Sequence, residues 1–225
     1  MNFISFDEGT TKGLGKIMAT GQTDGKAKRA DATRTSLIEA AERLIAKKGL
    51  ADVSTREILQ EAGQRNQSAL QYHFGSKTGL IQATINERTR QIDKHRQKML
   101  EEIGDNPSLR QILEVMVMPL CELIENDAAG KNYLIFLSQA ITQPNWDLRK
   151  VIKEFDIVGL ARAYQLYDNM LSHLGDEERL LRQAVGFDLT ILTLKRWCMA
   201  EKPPQRSLKE ITEFVINSSI AVVEA

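Results

Sequence analysis

The sequence predicts an all-α protein with a small three-helix domain at the N-terminus and a larger helical domain behind it. Three observations carry this prediction. From residue 33 onward, apolar residues recur with helical spacing almost to the C-terminus. No stretch of the sequence alternates apolar and polar residues as a half-buried strand does. Capping and breaking residues divide the pattern into three short segments followed by several long ones.

We expect three regions in the 225 residues, a length that allows one large domain or two small ones. Residues 1–30 contain several glycines and lack periodicity, so we expect a disordered arm there. The three-helix domain is placed at 31–80 and the larger helical domain at 81–225.

The composition excludes several classes of protein. With 42% hydrophobic and 27% charged residues, the chain has the composition of a soluble globular protein. No apolar run reaches the roughly 18 residues that a transmembrane helix needs, and the N-terminus lacks a secretory pattern. Two cysteines, Cys121 and Cys198, are too few for a disulfide framework or a four-ligand zinc site. We therefore expect a cytoplasmic protein without membrane contacts, bound metal or cofactor.

A formal net charge of zero hides a segregation of charge along the chain. Residues 26–98 hold 15 Lys and Arg against 8 Asp and Glu, whereas residues 99–225 hold 13 against 19. A basic segment joined to an acidic remainder favours a polyanion-binding module attached to a second domain. Chance clustering of charge on solvated helices is the alternative.

The first helix carries one apolar stripe and ends at Lys47-Lys48-Gly49, with cations in its last turn and a C-terminal glycine. The stripe consists of Leu37, Ile38, Ala40, Ala41, Leu44 and Ile45. A second, shorter helix begins after Ser54, which has capping-box spacing to Glu57, and ends at Ala62-Gly63.

Asn66 caps a third, very short helix that runs to about His73. A long helix then opens at Ser76 or Lys77 and reaches about Ile103. The remaining helices are expected at about 108–126, 131–142, 145–173, 177–200 and 207–223.

Residues 55–74 have the layout of a helix-turn-helix, two short helices joined by a tight glycine-containing turn and packed on a preceding amphipathic helix. The second of these helices is short and polar on its outer face, so it can enter a DNA major groove about 12 Å wide. A helical hairpin that binds no nucleic acid is the alternative on this pattern alone.

The segments RTSLIEAAERLIAKKG, STREILQEAG and NQSALQYHFGSKTGLIQA together resemble the DNA-binding domain of the TetR family of bacterial transcriptional regulators. The resemblance covers residues 33–85, and beyond it only the helical layout and the total length match. Two departures stand out. Gln64-Arg65-Asn66 places one additional residue in the turn, and Gln71 occupies a position where the family usually has tyrosine.

Candidate DNA contacts divide into two kinds. Contacts to phosphates hold the domain in place on the duplex, and contacts to base edges give it sequence preference. At the start of the second helix, Thr55 and Arg56 offer a hydroxyl, a guanidinium and free amides to phosphate. Tyr72 and His73 are further phosphate candidates, although His73 also fits a packed, hydrogen-bonded role. The resemblance implies a backbone contact for Lys77.

For base reading we expect the exposed first turns of the third helix to act through Arg65, Gln67, Ser68 and Gln71. Gln71 replaces the family's tyrosine, so either Tyr72 takes over that phosphate contact or Gln71 reads a base. Four further cations offer an arm for the minor groove or phosphates: Lys26, Lys28, Arg29 and Arg34. For the first three, a solvated charge run is the alternative.

The last two long helices carry broad apolar faces. One stripe of the first of them is Leu180, Ala184, Phe187, Ile191, Leu194 and Cys198, and a second beside it is Leu181, Val185, Leu189 and Leu192. The final helix carries Leu208, Ile211, Val215, Ile216, Ile220, Val222 and Val223. The resemblance implies a homodimer in which these two helices of each subunit form a four-helix bundle. An ordinary intrachain core is the alternative.

The resemblance also implies an effector pocket within residues 86–175. Plausible lining residues are Met99, Ile103, Met116, Phe136, Trp146 and Tyr164, although residues of these types at helical spacing also fit plain core. This mostly apolar inventory favours an apolar or aromatic small molecule, including an acyl chain.

Enzymatic motifs are missing from the sequence: the three histidines are scattered, and neither a nucleophile turn nor a metalloprotease spacing occurs. We therefore expect no catalytic residues. The sequence predicts a ligand-responsive DNA-binding regulator, with repression of a palindromic operator and release by a small molecule as the first hypothesis and activation left open. The alternative is a helical ligand-binding or protein-interaction module whose helix-turn-helix no longer binds DNA.

Overall fold

A computed structural model describes residues 20–126, 128–143, 148–154, 156–200 and 205–225. These residues form ten α-helices and contain no strand. The helices are α1 (Thr20–Lys48), α2 (Thr55–Glu61), α3 (Ala69–Phe74), α4 (Lys77–Ile103), α5 (Leu109–Asn126), α6 (Ala128–Ala140), α7 (Leu148–Glu154), α8 (Val158–Met170), α9 (Asp176–Cys198) and α10 (Leu208–Glu224). The predicted all-α class is confirmed. None of the described helices is both long and apolar enough to cross a membrane.

Helix α1 begins thirteen residues before the apolar pattern does, at Thr20 instead of residue 33. Residues 20–30 of the expected disordered arm are therefore helical, which corrects that part of the prediction, whereas residues 1–19 lie outside the described part of the chain. The side chains of Lys26, Lys28 and Arg29 are exposed. None of the side chains from residue 25 to residue 30 is buried, and such a stretch leaves no periodic apolar signal, so the sequence pattern starts only where α1 meets its neighbours.

The two short helices α2 and α3 pack as predicted against the second half of α1. Its residues Leu37, Ala41 and Ile45 are fully buried, and Ile58 of α2 and Leu70 of α3 are buried against the same core. Two small alanines on α1, Ala40 and Ala41, let the helices approach closely.

Helices α1 and α6 also pack on each other, so one hydrophobic core runs through the whole chain. The Gln139 side chain at the end of α6 accepts a hydrogen bond from the Leu50 N–H over 2.7 Å and donates to the Ile45 carbonyl over 3.0 Å. One amide thus satisfies an N–H and a C=O at the C-terminus of α1. The expected boundary at residues 80 and 81 falls inside α4, which belongs to both parts of the molecule.

One predicted helix is wrong. Instead of a single helix at 145–173, the structure has α7 and α8, with Asp156 between them at a positive φ of 51°. The N–H groups of Gly159 and Leu160 in the first turn of α8 donate to the Asp93 carboxylate of α4, over 2.8 and 2.7 Å. A side chain 66 residues earlier therefore defines the start of α8, and no local signal in 145–173 carries that information.

Candidate functional site

Helix α2 is capped at both ends by groups that the sequence already indicates. Ser54 accepts a hydrogen bond from the Glu57 N–H, while the Glu57 carboxylate accepts one from the Ser54 N–H, which completes the capping box. At the other end, Gly63 has a φ of 67°. The Gly63 and Gln64 N–H groups donate to the carbonyls of Gln60 and Leu59, the arrangement of a Schellman motif. The motif requires a left-handed residue, which is why glycine stands there.

The additional residue in the turn is held by the first helix. Gln64 is half-buried, and its side-chain amide donates to the Ser36 hydroxyl over 3.4 Å and to the Ala62 carbonyl over 3.3 Å. Asn66 then accepts two hydrogen bonds through Oδ1, from the Ser68 N–H at 3.0 Å and the Ser68 hydroxyl at 2.8 Å. The longer turn is therefore a defined structure tied to α1.

Helix α3 buries one face and exposes the other. Ala69 and Leu70 are buried, whereas the four residues predicted to read bases are all exposed: Arg65, Gln67, Ser68 and Gln71. The Ser68 hydroxyl already donates its hydrogen to Asn66, so toward a further partner it can act only as a hydrogen-bond acceptor.

Tyr72 is the most exposed large hydrophobic side chain of the described residues, with 79% of its surface accessible. Its ring meets the half-buried His73 edge-on, with ring centroids 5.0 Å apart, and the hydroxyl end is free to meet a partner in solution. Thr55 and Arg56, at the start of α2, are exposed as well. Each of these side chains is accessible to a phosphate backbone.

Lys77 has a different place from the one expected. Its ammonium lies in a half-buried position and donates to the carbonyls of Leu50 at 2.7 Å and Val53 at 2.5 Å. These carbonyls belong to the loop between α1 and α2. The side chain thus joins the start of α4 to that loop, and we drop it from the phosphate contacts.

The junction of α3 and α4 is unusually tight. A Cβ atom at Gly79 would lie 2.0 Å from the Phe74 carbonyl oxygen, so glycine is required for the close approach. Arg34 reinforces the junction, because its guanidinium lies 5.5 Å from the centroid of the Phe74 ring and forms an ion pair with Glu87. Arg34, expected in an arm, therefore belongs to the helix packing.

Comparison with known proteins agrees with this geometry. Residues 37–84, which span α2, α3 and their flanking helices, match the family model described as bacterial regulatory proteins, tetR family. This segment is a TetR-family domain. No curated protein matches the sequence significantly.

Solved structures of the family share the fold across most of the chain. A protein of Shewanella sp. PV-4 assigned to the family aligns with a TM-score of 0.60 at 16% identity, over 85% of this chain and 95% of that one. One from Rhodococcus sp. gives 0.58 at 17% identity, over 85% and 98%. NalD of Pseudomonas aeruginosa, the secondary repressor of the MexAB-OprM multidrug efflux pump, gives 0.55 at 19% identity, over 86% and 97%. This chain has the fold of a TetR-family transcriptional regulator.

Behind the helix-turn-helix, the chain contains a cavity of about 80 Å³, lined by residues of α4, α5, α6, α7, α8, α9 and α10. Its wall is mainly apolar, with Ile92, Leu113, Val117, Leu120, Phe187 and Ile191 among the lining side chains. Helix α4 supplies part of this wall and also carries the junction with α3. The same helix therefore touches both the cavity and the helix-turn-helix.

Two of the six residues predicted to line the pocket, Met116 and Tyr164, lie on its wall. Met99 and Ile103 instead pack in a separate small cluster, and Phe136 is fully buried core. These three assignments are corrected, because helical spacing identifies buried residues without telling which of them border a void. Trp146 lies outside the described residues.

The cavity wall also carries a buried charge that the sequence analysis missed. Arg96 of α4 is 3% exposed, donates through Nε to the Val115 carbonyl over 3.2 Å, and forms an ion pair with Asp93 over 3.1 Å. Burial lowers the pKa of the Arg96 guanidinium, which the nearby Asp93 carboxylate partly opposes. The available signal was its position, four residues after Ile92 and four before Leu100 on an apolar stripe.

Tyrosine hydroxyls add polarity to the same wall. Burial raises the pKa of Tyr133 and of Tyr167 to about 12, so both carry neutral hydroxyls at physiological pH. The Tyr133 hydroxyl lies 3.5 Å from that of Thr89. Ser219 of α10 is 2% exposed, and its hydroxyl has no hydrogen-bond partner among the described residues.

The described surface has an apolar strip on its last two helices. On α9, four large residues are 40–57% exposed: Leu180, Leu181, Val185 and Leu192. Phe214 of the adjacent α10 is 46% exposed. Of the two predicted stripes, the second therefore exposes Leu181, Val185 and Leu192 on the monomer. The first is divided, since Ile191 and Leu194 are buried while Leu180 and Ala184 are exposed.

Proposed function

We propose that this protein is a homodimeric transcriptional repressor that binds a partly palindromic operator and is released from it by a small molecule. The observation that carries the proposal is the placement of α4. This single helix begins at the tight junction with α3 and continues into the wall of the cavity. From Lys77 to Arg96 it spans about 28 Å at the usual helical rise.

In this proposal α3 is the recognition helix. Arg65, Gln67, Ser68 and Gln71 meet base edges in the major groove, where arginine favours guanine and glutamine favours adenine. All four are exposed, Gln71 on α3 and the other three in the turn just before it, and this exposure supports the assignment.

Phosphate contacts come from the exposed groups around α3. Thr55 and Arg56 lie at the start of α2, and Tyr72 presents its hydroxyl beside the reading face. His73 is half-buried, so it contacts the DNA backbone through one edge of its ring at most. Tyr72 then takes the role that the family's tyrosine has at the position of Gln71.

A second copy of the chain covers the apolar strip of α9 and α10. Five exposed large side chains on two adjacent helices form a patch of the kind that marks a protein interface. A two-fold dimer through this strip presents two copies of α3 to successive major grooves, which lie about 34–36 Å apart. Dimerisation thus supplies the affinity that one helix-turn-helix lacks.

Regulation follows from the two ends of α4. A ligand in the cavity shifts α4 only to the extent that it prefers one of its positions. The close contact at Gly79 couples α3 to α4. A shift of α4 therefore moves the recognition helix and changes the distance between the two recognition helices of the dimer. Like other bacterial regulators of its family, the protein acts in the cytoplasm, where the DNA is.

A salt titration tests the proposal. The purified full chain is titrated with duplex from the region upstream of its own gene and with a scrambled duplex of equal length. We expect a steep loss of affinity with rising salt and a preference for the first duplex. Arg56→Ala weakens binding to both duplexes, whereas Gln67→Ala reduces the preference between them.

Gln82→Ala, which alters an exposed glutamine of α4, serves as the matched control for Gln67→Ala and leaves the preference unchanged. Weak binding to both duplexes, unaffected by these substitutions, would contradict the proposal. It would favour a helical ligand-binding module whose helix-turn-helix no longer binds DNA.

A further inference from the structure

We propose that the ligand of the cavity is a monocarboxylate with an apolar body, and that Arg96 binds its carboxylate. This inference deepens the proposed function and rests on it in one respect, that the cavity is an effector site. It assigns the chemical class of the effector. The apolar side chains of the wall do not by themselves specify that class.

The first observation is the unused hydrogen-bonding capacity of Arg96. A guanidinium carries five N–H donors. One is used by the Val115 carbonyl and one by Asp93, both at distances of 3.1–3.2 Å. Within the described chain, Nη2 of Arg96 donates no hydrogen bond. Three N–H groups of a side chain that is 3% exposed therefore remain for a guest in the cavity.

The second observation is the balance of charge. Among the described residues of the wall, Arg96 is the only charged side chain. Asp93 gives its charge to several donors at once, because it also accepts hydrogen bonds from Gly159 N, Leu160 N and the Gln97 amide. Asp93 therefore bonds only one of the guanidinium N–H groups, and those that remain favour an anionic acceptor in the cavity.

One guanidinium matches one carboxylate. The two form parallel hydrogen bonds in a planar pair, and a single negative charge completes the compensation. A phosphate monoester brings up to two charges and needs further donors, and no second cation lies on the described wall. A carboxylate is the anion that this wall accommodates.

The rest of the wall accepts the apolar body. Helix α5 contributes Leu113, Val117 and Leu120 to the wall, and α9 contributes Phe187 and Ile191. Ser219 adds a buried hydroxyl that has no partner in the part of the chain that the structure describes, and such groups are rare in native structures unless a ligand or water satisfies them. Two polar groups with unused capacity on one apolar wall indicate a built site.

Binding at Arg96 also acts on α4 directly. The carboxylate of the ligand shares the guanidinium with Asp93, and Asp93 is the residue that joins α4 to the start of α8. A ligand at this point therefore changes the balance of charge at the contact between α4 and α8. This is the link between occupancy of the cavity and movement of the recognition helix.

Calorimetric titration of the full chain without DNA tests the inference. Two matched pairs of probes are used, decanoate with 1-decanol and 2-naphthoate with 2-naphthol. We expect at least one carboxylate to bind about tenfold or more tightly than its neutral partner, as hydrogen bonds to a charged group imply. Arg96→Met removes that difference, and Arg90→Met, which removes an exposed cation from the same helix, keeps it.

Arg96→Met leaves the buried Asp93 carboxylate without its cation and destabilises the fold, so the double variant D93N/R96M, which removes both buried charges together, serves as the second test. It too is expected to bind carboxylate and alcohol equally. The inference is overturned if each wild-type pair binds within about threefold, if neither carboxylate binds at about 1 mM, or if R96M and R90M act alike.

The assay separates this inference from the proposed function. Because no DNA is present, a protein that fails to bind operators can still show the preference for carboxylates. Conversely, a cavity indifferent to charge leaves the DNA-binding proposal intact.

Discussion

Lys77 shows how the surroundings of one side chain decide its role. As a cation directly after the recognition helix, it fits a phosphate contact on sequence grounds. In the folded chain its ammonium lies between two backbone carbonyls that have no helical partner, those of Leu50 and Val53. A buried carbonyl without a donor costs about 1–3 kcal/mol, so the ammonium stabilises the fold more at this position than it would on the surface.

Lys77→Met therefore affects stability more than electrostatics. We expect a loss of about 1–3 kcal/mol in the free energy of unfolding, measured with urea, because both carbonyls lose their donor. The slope of log affinity against log salt for DNA stays as in the wild type. Arg56→Met is the matched comparison: its stability is unchanged, and the salt slope falls by about 1 for each half-site. A lowered salt slope in Lys77→Met with unchanged stability would return Lys77 to the phosphate contacts.

At the scale of elements, caps and junctions position the helix-turn-helix. The Glu57 carboxylate accepts hydrogen bonds from the Lys48 ammonium at 2.8 Å and from the Ser54 N–H at 2.8 Å. These interactions lower the pKa of Glu57 to about 2, with Lys48 as the largest cause. Because the folded pKa lies below the unfolded value of 4.5, this stabilisation is complete above about pH 4.5 and is lost as the pH falls toward 2.

Glu57→Gln tests this dependence on pH. The amide can still cap α2, so what it lacks is the charge that Lys48 and Ser54 stabilise. We expect the variant to be less stable than the wild type at pH 7, and the gap to shrink between about pH 4.5 and pH 2 in parallel urea titrations. Glu210→Gln is the control, since Glu210 forms the same box with Ser207, its pKa is lowered mainly by that serine, and it has no hydrogen bond from a lysine; we expect a smaller change of its stability gap with pH. A gap that does not change with pH would show that the charge of Glu57 contributes nothing.

The junction of α3 and α4 gives a second prediction at this scale. Gly79→Ala places a methyl group against the Phe74 carbonyl, so the two helices must separate. We expect a loss of about 1–3 kcal/mol in stability and a fall in operator affinity, measured by urea unfolding and DNA titration.

Gly186→Ala is the control for that substitution. Gly186 lies in the middle of α9 with no atom within 4 Å of an added Cβ, so alanine gains about 0.5–1 kcal/mol through its helix propensity. DNA affinity stays unchanged. Equal effects of the two substitutions would exclude a special role for the close approach at Gly79.

At the scale of the whole molecule, the exposed strip on α9 and α10 is the feature that a single chain leaves unexplained. Leu181→Glu places a charge on the most exposed leucine of that strip. We expect a monomer by light scattering after gel filtration and a strong loss of operator affinity, because the two half-sites then bind independently. Val158→Glu, at a similarly exposed valine of α8, keeps the dimer. A dimer that survives Leu181→Glu would move the interface elsewhere.

Local signals determine a large part of this molecule. The capping box of Ser54 and Glu57, the glycine that ends α2, and the apolar stripe of α1 each depend on residues within one or two turns. The sequence therefore defines the helical class, the limits of the helix-turn-helix and the exposed face of α3, since periodicity separates buried from exposed positions.

Only the tertiary structure decided the roles that depend on distant residues. The start of α8 depends on Asp93, the partners of Lys77 lie in the preceding loop, and Arg96 borders a cavity while Phe136 does not. Periodicity reports that a side chain faces inward but not what it meets there. What it meets is set by the packing of helices far apart in the chain, and that packing also left the buried guanidinium beside an apolar void.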